Sequence, residues 1–178
     1  MNFIKKTFLD WKIKKAINLQ KNIRRQTLNY DEASIIGVLL KSEDPAMTQA
    51  VQNFLQRLAK DHKKVTVVVY HTTSENVINF QFQHYSFTEK EIDNWGSIRS
   101  EIVENFILQS FDYLYCISKE EEPVFQYILA KSQAKCRIGK YNPKNEVFFE
   151  MMINQKPEQG IDIFIEQALH YTKSITYN

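Results

Sequence analysis

Two kinds of apolar pattern alternate along the chain, and they predict strands and helices in turn. Ser34-Ile35-Ile36-Gly37-Val38-Leu39-Leu40 and Val65-Thr66-Val67-Val68-Val69-Tyr70 are runs of strand length, apolar nearly throughout. Between them Met47, Ala50, Val51, Phe54, Leu55 and Leu58 recur at helical spacing, the pattern of a helix with one core-facing side. Asp44 before Pro45 reads as an N-cap followed by proline at the first helical position. Two strands apolar on both faces with a helix between them predict a βαβ unit in a parallel sheet. On that reading Val38, Leu40, Val67, Val69, Leu114 and Cys116 lie in central parallel strands.

The middle of the chain is less regular. Val77-Ile78-Asn79-Phe80-Gln81-Phe82 alternates apolar and polar residues and predicts a strand nearer an edge. Thr88 with Glu91 predicts a capping box for a short turn that Gly96 ends. Ile98, Ile102, Val103, Phe106 and Ile107 follow as an amphipathic helix, then Phe111 to Ile117 as a strand. Pro123 opens a helix, Cys136-Arg137-Ile138 is a short strand, and 147–153 is read as a strand rather than a helix. A helix with Ile161, Phe164, Ile165, Ala168 and Leu169 inward ends the pattern. The expected fold is α/β: a three-layer, doubly wound, mostly parallel sheet of Rossmann-like or flavodoxin-like topology.

Residues 3–25 hold no proline or glycine and predict a long helix in front of this domain. Its apolar residues fall on two partial stripes. Ile4, Phe8, Trp11, Leu19 and Ile23 form one, interrupted by Lys15, and Leu9, Ile13, Ala16 and Ile17 form the other. The chain therefore divides into a basic helical arm, 1–30, and one α/β domain, 31–178. The arm's stripes are narrow, so the domain is expected to fold without it.

Composition narrows the chemistry. The 178 residues are 43% hydrophobic and contain four glycines, Gly37, Gly96, Gly139 and Gly160, the closest pair 21 positions apart. That spacing excludes the glycine-rich dinucleotide fingerprint, the P-loop and the nucleophile elbow. Charge is unevenly placed. Residues 1–30 carry eight basic residues against Asp10 alone, +7, while the rest carries 15 basic and 20 acidic residues, −5. A basic arm on an acidic body suits an anionic surface or an acidic partner.

Asp93-Asn94-Trp95-Gly96, Phe111-Asp112-Tyr113-Leu114 and Ala134-Lys135-Cys136-Arg137-Ile138-Gly139 give residues 34–175 a resemblance to a family of small bacterial proteins of unassigned function. The resemblance brings no reaction and no cofactor. Residues 111–139 also resemble part of one Rossmann-like half of the bacterial glycosyltransferases that build lipopolysaccharide core, which implies fold more than activity.

Ligands of parallel sheets gather beyond the carboxyl ends of the strands. The candidates there are Lys41, His71, Ser118, Lys119 and Lys140. Glu43-Asp44 and Glu120-Glu121-Glu122 precede the two helix starts and oppose a phosphate at either. The histidines lack metal-ligand spacing, and Cys116 and Cys136 read as buried, reduced thiols, so no metal and no cofactor is expected. The second candidate surface is the arm, with Lys5, Lys6, Trp11, Lys12, Lys14, Lys15, Lys21, Arg24 and Arg25 as contacts. Its partners are an anionic membrane, a protein assembly or a second copy of the acidic body. Nucleic acid is disfavoured by that body and by the lack of a reading module. The expected function is a non-catalytic binding or adaptor module, cytoplasmic and peripheral at the inner membrane. The alternative is a small transferase or hydrolase acting on a phosphorylated or sugar substrate at the sheet edge.

Overall fold

The computed structural model describes residues 3–20, 23–41, 45–72, 82–156 and 158–175. Its strands are β1 Ile35–Lys41, β2 Lys64–His71, β3 Tyr85–Thr88, β4 Tyr113–Ile117, β5 Cys136–Lys140 and β6 Met151–Ile153. The helices are α1 Phe3–Leu19, α2 Pro45–Lys60, α3 Glu101–Leu108, α4 Pro123–Lys131 and α5 Ile161–Lys173. The six strands form one sheet in the order β3-β2-β1-β4-β5-β6, and every neighbouring pair is parallel. That is the Rossmann-like order rather than the flavodoxin-like one.

Strand alternation assigns the two sides. Ile36, Val38, Leu40, Val67, Val69, Tyr113, Tyr115 and Ile117 share a buried cluster with α2 and α5. Leu39, Val68, Tyr70, Leu114 and Cys116 share the opposite one with α1, α3 and α4. Val38 is in register with Val67 on one side and Tyr115 on the other. The six residues assigned to central strands therefore lie there. Both faces are covered, which is why these strands read as unbroken apolar runs.

Several boundaries differ from the sequence expectation: α1 ends at Leu19 rather than running to Arg25, and Ile98 lies before α3, bridged to Ile92. The strand expected at 77–82 falls outside the described residues except for Phe82, which is a bend. The edge position beside β2 is instead Tyr85–Thr88, a four-residue strand too short to stand out by periodicity. Within 147–153 only Met151–Ile153 is strand, because Pro143–Phe148 forms a 3₁₀ turn started by Asn142, whose side chain accepts the Lys144 amide. The capping box is present: the Thr88 amide donates to Glu91 at 2.7 Å, and the Lys90 amide donates to the Thr88 hydroxyl at 3.3 Å.

Helix α1 lies along α4. Leu9, Ile13 and Ala16 are buried in the same cluster as Ile92, Phe106, Ile128 and Leu129. The turn at 93–97 is its seat. Gly96 sits at φ +67°, and a Cβ there would meet the Leu9 backbone nitrogen at 2.6 Å, so only glycine fits both the turn and the helix above it. Asp93 shapes the turn by accepting the Trp95 and Ser97 amides at 2.9 and 2.8 Å. Lys5 donates to the Ile92 carbonyl at 2.8 Å, Lys12 donates to the Ser97 hydroxyl, and Phe8 meets the Trp95 ring edge-on at 5.1 Å.

Candidate functional site

The order of the sheet puts the topological switch between β1 and β4, where a ligand crevice is expected beyond the carboxyl ends. Here an ion pair occupies that place. Lys41, last residue of β1, bonds Glu122 at 2.5 Å, and both side chains are only 15% exposed. The cleft opens one strand further along, over β4 and β5, with a volume of about 350 Å³. Cys116, Phe125, Leu129 and Phe149 form its apolar part. Phe149 reaches this position because residue 139 is glycine: a Cβ there would meet the ring at 2.4 Å.

The polar rim is largely self-satisfied. Asn142 donates to Glu121, Gln126 donates to Asn145 at 3.1 Å, and the Ser118 hydroxyl donates to the Glu120 carbonyl at 2.6 Å. Three carboxylates, Glu120, Glu121 and Glu122, face two lysines, Lys119 and Lys140, around the cleft. This balance disfavours a phosphate and accommodates neutral hydroxyl-bearing molecules. Burial, and then the Glu122 charge, push the Cys116 thiol up to about 12, so it is a protonated wall and not a nucleophile. Cys136 is likewise buried and free, and burial pushes its thiol up to about 12.

Of the sheet-edge candidates, the fold gathers Ser118, Lys119 and Lys140 around the cleft. Lys41 contributes through its bond to Glu122. His71 is buried at the end of β2, does not line the cleft, and by alternation shares the side of Val69 with α2 and α5. Thr73, Ser74 and Ser42 to Asp44 lie outside the described residues. Among the described residues no group of three or more His, Cys, Asp or Glu is placed to hold a metal ion.

The arm residues separate by role. Lys5 and Lys12 fasten the helix to the 92–97 turn. Arg25 turns inward, donating to the Ser132 carbonyl at 2.9 Å, to the Ala134 carbonyl and to Gln20, with Glu150 at 3.8 Å. Burial first, and the Arg137 charge second, lower its guanidinium to about 10, so it stays charged at neutral pH. Lys6, Trp11, Lys14, Lys15 and Arg24 are exposed, and Lys21 lies outside the described residues. Phe3, Ile4 and Trp11 are 84%, 61% and 59% exposed.

Beside this face runs a groove of about 400 Å³ between α1 and α4, with Tyr127, Lys131 and Gln133 on its far side. None of these three is among the candidates that the sequence pattern marks. Their signal in the sequence is an aromatic–lysine pair at i, i+4, Tyr127 and Lys131, at the border of the apolar stripe of α4.

The residues that carried the family resemblance are mostly braces. Asp112 accepts the Ser34 and Ile35 amides at 2.7 and 2.9 Å and pairs with Lys135 at 2.8 Å, tying β1 to the segment before β5. Burial raises its pKa, but Lys135 and the two amides outweigh it and hold the carboxyl below the usual range. Arg137 is buried against Glu150 at 2.8 Å and donates to the Leu129 and Val147 carbonyls at 2.9 and 3.2 Å.

Comparisons with curated proteins and with solved structures return no match, so nothing supports the likeness of 111–139 to a glycosyltransferase half. A family model does match, over residues 5–175, a span that takes in α1 and its seat as well as the sheet. The chain therefore belongs to the family of unknown function DUF6913.

Proposed function

We propose that this protein is a non-catalytic α/β binding or adaptor module held at an anionic membrane surface by the outward face of α1. The observation that carries the reading is a helix with two apolar sides. Leu9, Ile13 and Ala16 are buried in the body, yet Phe3, Ile4 and Trp11 stand exposed on the other side, among Lys6, Lys14 and Lys15. Exposed aromatic and aliphatic side chains among lysines are the composition of an interfacial helix, with apolar insertion and attraction to anionic lipid acting together. Attachment on this reading is peripheral; no helix among the described residues is long and apolar enough to cross a membrane. On this reading the body stands in the cytoplasm against the inner membrane.

Vesicle co-sedimentation tests it, with phosphatidylcholine alone and mixed with phosphatidylglycerol. The full chain should pellet with the anionic vesicles and be released as salt rises. Reversing Lys6, Lys14 and Lys15 to glutamate should abolish pelleting, at about 1 kcal/mol per basic residue near the surface, with circular dichroism unchanged. Equal binding to neutral vesicles, or binding that survives the reversal, overturns the reading. No vesicle binding at all moves attachment to a protein assembly.

A second reading rests on the cleft over β4 and β5: a small transferase or hydrolase. Its rim carboxylates favour a sugar over a phosphorylated substrate. Saturable amide shifts at Tyr141, Asn142 and Asn145 on titration with sugars, absent in a Gly139→Val variant, support it.

A further inference from the structure

Resting on the attachment reading above, we propose that the groove between α1 and α4 is a specific site for the phosphate headgroup of an anionic lipid. The groove holds about 400 Å³, and among the described residues no acidic one lines it. Its α1 wall presents Trp11 and Lys15, its α4 wall Tyr127 and Lys131, with Leu19 and Ala130 among its apolar lining. Each lysine is steadied by an aromatic ring. The Lys15 ammonium stands 5.5 Å from the centre of the Trp11 ring, and that of Lys131 stands 5.2 Å from the Tyr127 ring and 3.2 Å from its hydroxyl.

Cation–π contact keeps an ammonium over the ring while leaving its outer hydrogens to an anion. Two ammonium groups on opposite walls match a phosphate, and charge-assisted hydrogen bonds from both hold it. The cleft over β4 and β5 is of comparable size, but its glutamates repel the same group. The occupant is a lipid rather than a free anion because the groove is continuous with the inserting face. Trp11 belongs to both, so a headgroup seated between Lys15 and Lys131 leaves its acyl chains beside Ile4 and Trp11. An acidic peptide has no counterpart to that continuity.

The test uses full-length protein carrying Trp95→Phe, which leaves Trp11 as the single indole. Dihexanoyl phosphatidic acid, kept below its micellar concentration, should shift Trp11 emission saturably. Lys131→Glu should weaken that binding at least tenfold, whereas Lys60→Glu, with the same charge change on α2, should leave it unaltered. Inorganic phosphate at the same concentrations should not move the signal. Absence of a saturable response to the soluble lipid overturns the proposal. So does an equal response to inorganic phosphate, or saturation only by an acidic amphipathic peptide. The two readings separate cleanly. Vesicle binding without a soluble-lipid response removes the headgroup site and keeps the attachment. A soluble-lipid response lost in Lys131→Glu, without vesicle binding, keeps the site and removes the attachment.

Discussion

Helices α2 and α1 cover opposite faces of the same sheet, and they do so in different ways. In α2 the apolar residues form one stripe, Met47, Val51, Phe54, Leu55 and Leu58, and all five are buried. In α1 the apolar residues form two stripes, and the fold buries Leu9, Ile13 and Ala16, with Ile17 partly covered beside them and Phe8 set against Trp95, while Phe3, Ile4 and Trp11 stay exposed. Their polar fastenings differ too. The end of α2 is pinned by Asp61, which receives Lys173 of α5 at 2.6 Å and the Tyr30 hydroxyl at 2.6 Å. Helix α1 is pinned by Lys5 and Lys12 on neutral acceptors, a carbonyl and a hydroxyl. A helix with one stripe is explained by the core. A second stripe left facing water asks for a further partner.

Removing residues 1–30 breaks the comparison most severely. The body from Ala33 onward holds the whole sheet, so a cooperative transition should persist, but its Tm should fall on the order of 10 °C or more as the sites of Leu9, Ile13 and Ala16 are uncovered and Tyr30, buried with α2 and α5 and bonded to Asp61, is lost. A molten remainder would make α1 as indispensable as α2. Leu9→Ala should next cost about 3 kcal/mol, comparable with Leu58→Ala in α2, since both side chains are fully buried. Denaturant titration of the two variants measures the parity of the inner stripes directly.

Gly96→Ala should cost about 1–3 kcal/mol, through left-handed backbone and contact with the Leu9 backbone together. The loss should appear as amide exchange in α1 while α2 stays protected.

A smaller effect is read by pH. Burial pulls the Asp61 carboxyl up, but Lys173 and Tyr30 outweigh it and hold it below the usual range. A depressed carboxylate contributes stability that is present above its unfolded pKa of about 3.9 and is lost as pH falls through its folded value. Being partly exposed, the pair is worth at most about 1 kcal/mol. Acidification below about pH 4 should therefore loosen α2 from α5, and it should also loosen the 93–97 seat of α1, because the Ser97 amide and Arg99 hold the Asp93 carboxyl below the usual range and protonation there weakens the turn. The stability gap between wild type and Asp61→Asn should close over the same range. The least effect on folding belongs to the outer stripe: Trp11→Ser should change stability by no more than about 0.5 kcal/mol while weakening vesicle binding. A large loss of stability there would place Trp11 in the core and leave α1 with no free face.

The local patterns determined a great deal. The apolar runs of β1, β2 and β4, the single stripe of α2, the proline starts and the Thr88 capping box are written in neighbouring residues, because period and cap chemistry involve only a few positions. The rim residues Ser118, Lys119 and Lys140 follow from strand ends alone. What the tertiary structure decided involves partners far apart in the chain. Which stripe of α1 turns inward depends on a seat at Gly96. Lys5 finds its acceptor 87 positions away, Lys12 85 and Arg25 107, so no window of sequence separates the basic residues that fasten the helix from those that face solvent. The same holds for the closure of the switch point by Lys41 and Glu122, 81 positions apart, and for the placing of Lys15 and Lys131 along one groove. A helix with two opposed apolar stripes looks poorly segregated in sequence because each stripe cancels the other's asymmetry. Only packing, which buries one of them, reveals the one that remains.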